Sequence, residues 1–216
     1  MPANEFQLII AVRAYCTTLL LTAIAFITIH CGLSYYHYEI AEVPWLIQQL
    51  FELDEENNLP TWFSSFLLLN SSLVLYVLAR TKDDHRYHWF LLAAGFLILS
   101  IDEVAGLHES VNSAIEINWA IPGGILVIVV GLAFVPFLLS LQRRVAVLFM
   151  LSGLLYVSGA IGVELLSEDM DEESFAYGLA TALEEGLEMM GALMFLSVSL
   201  GEMKDQDQVK IAFRVH

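Results

Sequence analysis

Residues 89–109 read WFLLAAGFLILSIDEVAGLHE. The run from Trp89 is apolar over nearly the ~20 residues that a helix needs to cross a bilayer core. It then closes on Asp102, Glu103, His108 and Glu109. Two further runs break the same rule. LSGLLYVSGAIGVELL (151–166) closes on Glu164, and FAYGLATALEEGLEMMGALMFL (175–196) carries Glu184, Glu185 and Glu188 in its interior. A carboxylate near the middle of the bilayer costs roughly 2.5–3.5 kcal/mol on insertion scales. Asp102, Glu103, Glu164, Glu184, Glu185 and Glu188 together would cost on the order of 15–20 kcal/mol if left alone. They must pair, protonate, meet water or bind a cation.

Working outward, the whole chain has the composition of a membrane protein. Its 216 residues are 57% hydrophobic and 16% charged, with mean hydropathy +0.66. A soluble domain carries more charge. Six apolar spans are expected at about 11–33, 62–80, 88–108, 120–141, 145–166 and 175–200, which leaves room for one integral membrane domain over 1–216 and no separate soluble one. The expected fold is all-α: a polytopic bundle of six transmembrane helices. The stretch VPWLIQQLF (43–51), after Pro44 and with Trp45 at its start, is expected to form a short interfacial or re-entrant helix in the first outer loop. In NLPTWFSS (58–65), Asn58 is placed to cap the second span and Pro60 suits its first turn. In the fifth span Ser158, Gly159 and Gly162 form a strip of small residues suited to close helix packing.

The nine basic residues orient the chain. Arg13, Arg80, Lys82, Arg86, Arg143, Arg144, Lys204, Lys210 and Arg214 all fall on the side shared by both termini when six spans are counted. The positive-inside rule makes that side, with both termini, the cytoplasm. The opposite side is acidic, with Glu39, Glu42, Glu52, Asp54, Glu55 and Glu56 in the first outer loop and Glu168, Asp169, Asp171, Glu172 and Glu173 in the third. These are either solvated surface or a funnel that concentrates cations. A net charge of −16 excludes nucleic acid as a partner, which needs a basic face. Cys16 and Cys31 lie fifteen residues apart on one expected helix, roughly 22 Å, too far to bridge.

Depth follows from helical rise. Asp102 and Glu103 lie roughly 21–23 Å from the cytoplasmic entry of the third span, and Glu184 and Glu185 roughly 14–15 Å from the outer entry of the sixth. These levels agree to within about a helical turn, so the acids belong to one layer in the outer half of the membrane. Glu184, Glu185 and Glu188 share a broad helical face through i, i+3 and i, i+4 spacing. No Lys or Arg lies on that side to neutralise them. Carboxylates with one imidazole make a hard, oxygen-rich site that suits Fe, Mn, Ca or Mg. The expected cofactor is a divalent metal, Fe, Mn or Zn, as in di-metal helical bundles, although the Glu-x-x-His spacing of those bundles is absent. The expected metal ligands are Asp102, Glu103, His108, Glu109, Glu164, Glu184, Glu185 and Glu188, with Asp102, Glu103 and Glu185 as acid–base residues. His30 and His37, and Glu55 or Glu56 from above, are lesser candidates. No P-loop, HExxH, CxxC or nucleophile elbow is present.

The wording PTWFSS, DExxxLHE and EExxEM, over about residues 52–200, resembles an uncharacterised group of bacterial multi-span membrane proteins. That resemblance implies the class and no activity. The leading expectation is a metal-dependent membrane enzyme, a hydrolase or oxidoreductase, acting on a lipidic or membrane-proximal substrate. A proton or divalent-cation transporter or channel uses the same acids as a pathway. An accessory subunit of a membrane complex, its acids met by basic residues of a membrane partner, is the third; an oligomer is left open.

Overall fold

The computed structural model describes residues 5–107, 118–203 and 208–214. The chain runs β1 (Glu5–Ala11), α1 (Val12–Glu39), α2 (Trp45–Phe51), α3 (Leu59–Thr81), α4 (Arg86–Ala105), α5 (Ala120–Ser140) and α6 (Arg143–Val157). A π-helical turn (Ser158–Val163), α7 (Glu164–Ser167), α8 (Phe175–Gly201) and β2 (Gln208–Arg214) complete it. Five helices are long and apolar enough to cross a membrane: α1, α3, α4, α5 and the stretch Arg143–Ser167. Helix α8 is 27 residues long, but its three glutamates set it apart from those five. This is the architecture of a multi-pass helical membrane protein.

The helix ends follow local chemistry. Asn58 accepts a hydrogen bond from the Thr61 amide at 3.1 Å, and Pro60 lies in the first turn of α3. Ser174 caps α8 in the same way through the Tyr177 amide, 3.1 Å. Helix α4 stops at Gly106, whose left-handed backbone (φ 55°) suits a residue without Cβ. Helix α1 continues through Glu39, well past the expected end near 33, because nothing in SYYHYE breaks a helix. The α2 helix forms where expected and buries none of its residues.

The sequence predicts no element for the chain ends, and there β1 and β2 pair antiparallel, Glu5 opposite Arg214 through Ala11 opposite Gln208. Short runs such as EFQLIIA and QVKIAFR alternate too weakly to reveal a strand before the partner is known. The fold is therefore a helical bundle with a two-stranded ribbon joining its termini.

Helix α8 is the axis, packed against α1, α3 and α6. One apolar cluster joins Leu19 and Ala23 of α1 and Leu67 and Leu68 of α3 to Met189, Leu193 and Leu196 of α8. A second gathers Leu75, Leu78, Trp89, Phe137, Phe149 and Phe195 toward the ends of the bundle that carry the basic residues. There Phe195 lies 4.5 Å from Phe149 and 4.4 Å from Phe96 between ring centroids, and Trp89 lies 4.9 Å from Phe137. Helices α3 and α4 form a hairpin clamped by polar contacts: Ser65 Oγ donates to the Ser100 carbonyl (2.8 Å) and Ser72 Oγ to the Ala93 carbonyl (2.7 Å). Helix α5 is peripheral; protein covers only 6% of its apolar window.

Candidate functional site: an acid-lined cavity

The strip of small residues works differently from expectation. Gly159, not the pair Ser158 and Gly162, makes the close approach. A Cβ on Gly159 would fall 2.5 Å from the Glu184 carbonyl oxygen and 2.9 Å from Glu188 Cγ. Its counterpart is Gly191, where a Cβ would lie 2.6 Å from the Tyr156 backbone nitrogen. Ser152 Oγ donates to the Gly191 carbonyl at 2.8 Å. Ser158 instead faces outward and donates to the Leu155 carbonyl. The reason is the π turn: its extra residue shifts the helical face, so Gly159 lies against the Glu184–Glu188 turn of α8.

This backbone-to-backbone contact helps shape a cavity of about 660 Å³. Among the described residues, ten carboxyl side chains line it. Helix α4 supplies Asp102 and Glu103, α7 supplies Glu164, and α8 supplies Glu184, Glu185 and Glu188. The loop before α3 adds Asp54, Glu55 and Glu56, and the loop before α8 adds Glu172. Among the described lining residues there is no Lys or Arg. Glu103 faces α8 closely enough to interact electrostatically with both Glu185 and Glu188, and the Tyr156 hydroxyl donates to the Glu188 carboxylate. Glu164 accepts from Asn118 Nδ2 at 3.3 Å. Gly106 matters here too: a Cβ on it would collide with the Glu56 carboxylate, so its bareness lets Glu56 reach the end of α4.

Six of the eight residues expected from sequence therefore face one space. His108 and Glu109 lie outside the described residues. Glu55 and Glu56 do approach from above. Asp54, Glu172, Tyr156 and Tyr177 were not singled out; only the density of acids in the outer loops hinted at the first two. His30 is buried but lines no part of the cavity. Its Nε2 donates to the Gly178 carbonyl (2.9 Å), and its Nδ1 lies 3.2 Å from the Leu53 nitrogen and 3.0 Å from Glu52 Oε1. It ties α1 to the loop and to α8. His37 Nδ1 accepts the Val43 amide, which folds the chain back after α1.

At the mouth, Tyr177 donates to Asp54 Oδ2 at 3.1 Å. Asp54 keeps accessible surface, yet protein surrounds its carboxyl on most sides. That burial pushes its pKa above the ordinary aspartate range; the Tyr177 hydrogen bond pulls it down, and the charges of Glu52, Glu172 and Glu164 raise it further. Among the described residues, no three His, Cys, Asp or Glu side chains already stand close enough to hold a metal ion. The donor set is all oxygen and hard, and the carboxylates sit on long side chains around an open space.

A family model described as a domain of unknown function, DUF8692, matches residues 17–201. The chain belongs to the DUF8692 family. All ten cavity acids fall within the matched stretch, so the cavity is built from the DUF8692 domain itself, while β1 and β2 lie outside it. No curated protein and no solved structure matches the chain.

Proposed function

We propose that this chain is a metal-dependent membrane enzyme whose cavity holds a divalent cation, Fe, Mn or Zn, between α4 and α8 and acts on a lipidic or membrane-proximal substrate. The observation that carries the reading is the cavity lining: among the described residues, ten acids from separate elements and no Lys or Arg. Asp102, Glu103, Glu184, Glu185 and Glu188 are the ligand and acid–base candidates, and Glu164 supports them from the rim. Two or three of these flexible carboxylates would hold the ion. The ion would polarise a substrate oxygen or lower the pKa of a bound water. Glu103 and Glu185, as like charges facing each other, suit the holding and release of a proton.

The pairing of β1 with β2 supports an even number of crossings, hence six spans with α8 as the last and both termini on one side. The distribution of Lys and Arg supports the cytoplasm for that side. Trp45, 72% exposed, and Trp62, 69% exposed, suit the outer interface, with α2 lying along it.

The aromatic cluster around Phe195 favours an enzyme over a transporter. Its rings pack between the helices toward the ends that carry the basic residues, where no polar track continues from the acids among the described residues, which supports a cavity entered from the acidic side. The test is cation flux into liposomes containing the purified chain, alongside its metal content. Bound metal without flux supports the enzyme. Divalent-cation or proton flux that disappears in Glu185→Gln replaces it with the transporter.

A further inference from the structure

A cavity of about 660 Å³ is far larger than one ion requires; a water molecule occupies ~30 Å³ in the liquid, and pockets of ~300–1,000 Å³ hold small organic ligands. Its walls are also of two kinds. The α4 and α8 sides are acidic. The rest is largely apolar, with Trp119 just before α5, Gly123, Leu126 and Val127 on α5, Val157 at the end of α6 and Ile161 within the π turn. A Cβ on Gly123 would lie 2.9 Å from the Trp119 ring, so glycine there lets the indole lie along α5 as part of the wall.

Two wall residues have a second face. Leu126 is 63% exposed and Val127 38% exposed while both line the cavity, on a helix with only 6% of its apolar window buried in the protein. They sit roughly 9–10 Å along α5 from Ala120, within its apolar stretch. The cavity is therefore bounded on this side by exposed apolar side chains of a membrane-length helix, which suits a sideways opening toward hydrocarbon.

The charge of the lining selects among amphiphiles. The described lining holds acids and no Lys or Arg, so whichever carboxylates stay ionised repel a phosphate or carboxylate head and attract an ammonium. We infer that the cavity takes an amphiphile with a positively charged amine head and a long apolar chain. The head meets the carboxylates of α4 and α8, and the chain leaves sideways past Leu126 and Val127 into the bilayer. The inference rests on this cavity being the functional site, but not on the metal.

The test uses the full chain in phosphatidylcholine nanodiscs and three photoactivatable probes of equal chain length, ending in an amine, an alcohol or a phosphate. Cross-linked residues are read by mass spectrometry and metal content is measured on the same samples. The amine probe should label Leu126, Val127 and Ile161 about fivefold or more above the alcohol, and the phosphate least. Val127→Trp adds bulk at a part-exposed position and should reduce amine labelling by a similar factor while leaving the metal content unchanged. Equal labelling by amine and alcohol, or amine labelling unaffected by Val127→Trp, overturns the inference. Bound metal without amine preference overturns it and leaves the metal reading standing; amine preference without metal does the reverse.

Discussion

Gly159 is the residue on which the site's shape turns most directly. Its Cα hydrogens face the Glu184 carbonyl, and any side chain must push α6 and α8 apart. Gly159→Ala should destabilise the protein by about 1–3 kcal/mol, the usual cost of overpacking. Gly153, where a Cβ meets nothing within 4 Å, is the control: Gly153→Ala should be neutral or stabilising by about 0.5–1 kcal/mol. Denaturant unfolding in detergent compares them. Asp54 offers a second test at this scale. Its pKa is higher folded than unfolded, so it contributes stability that is complete below the unfolded value, about 3.9, and lost as pH rises through the folded value. Asp54→Asn should flatten the pH dependence of the unfolding midpoint above pH ~4 and be more stable than the natural protein at neutral pH. A steeper dependence in the variant would contradict this. The acids themselves were legible from sequence because lipid makes each one conspicuous. Tyr156 was not, since a tyrosine in an apolar helix looks like packing until its neighbour is known.

Among the elements, the π turn Ser158–Val163 is the least regular and the most consequential. It lets one helix present Tyr156 to Glu188 and, further along, Glu164 to the same cavity. Deleting Ala160 should restore regular α-helix and rotate Glu164 about 100° relative to Tyr156. The expected result is unchanged helical content by circular dichroism with loss of bound metal; retained metal would show that the turn is dispensable. The helices were readable because their apolar runs match the bilayer and because Asn58 and Gly106 mark ends. The π turn was not, since SGAIGV differs from ordinary small-residue packing only in register. The β1–β2 ribbon escaped for a similar reason: each strand is short, and its partner lies about 200 residues away.

At the scale of the whole molecule, α8 carries three glutamates through the centre of the bundle and still buries Met189, Leu193, Leu196 and Leu200. One face of the helix thus builds the core while the other builds the cavity. The paired termini make a topological prediction. In a background with Cys16 and Cys31 replaced by serine, single cysteines at positions 3 and 206 should react with an impermeant maleimide from the same side of the membrane. One at position 171 should react from the other. Opposite-sided labelling of 3 and 206 would reject six spans.

The central claim is that the cavity binds a divalent metal. The most direct measurement is metal content by inductively coupled plasma mass spectrometry on four purified proteins: natural, Asp102→Asn, Glu185→Gln, and a control with the exposed loop acids Glu168 and Glu173 changed to glutamine. A stoichiometric divalent ion in the natural and control proteins, lost from the two cavity variants, is the expected result. Absence of metal from the natural protein even after reconstitution, or equal metal in all four, would contradict it.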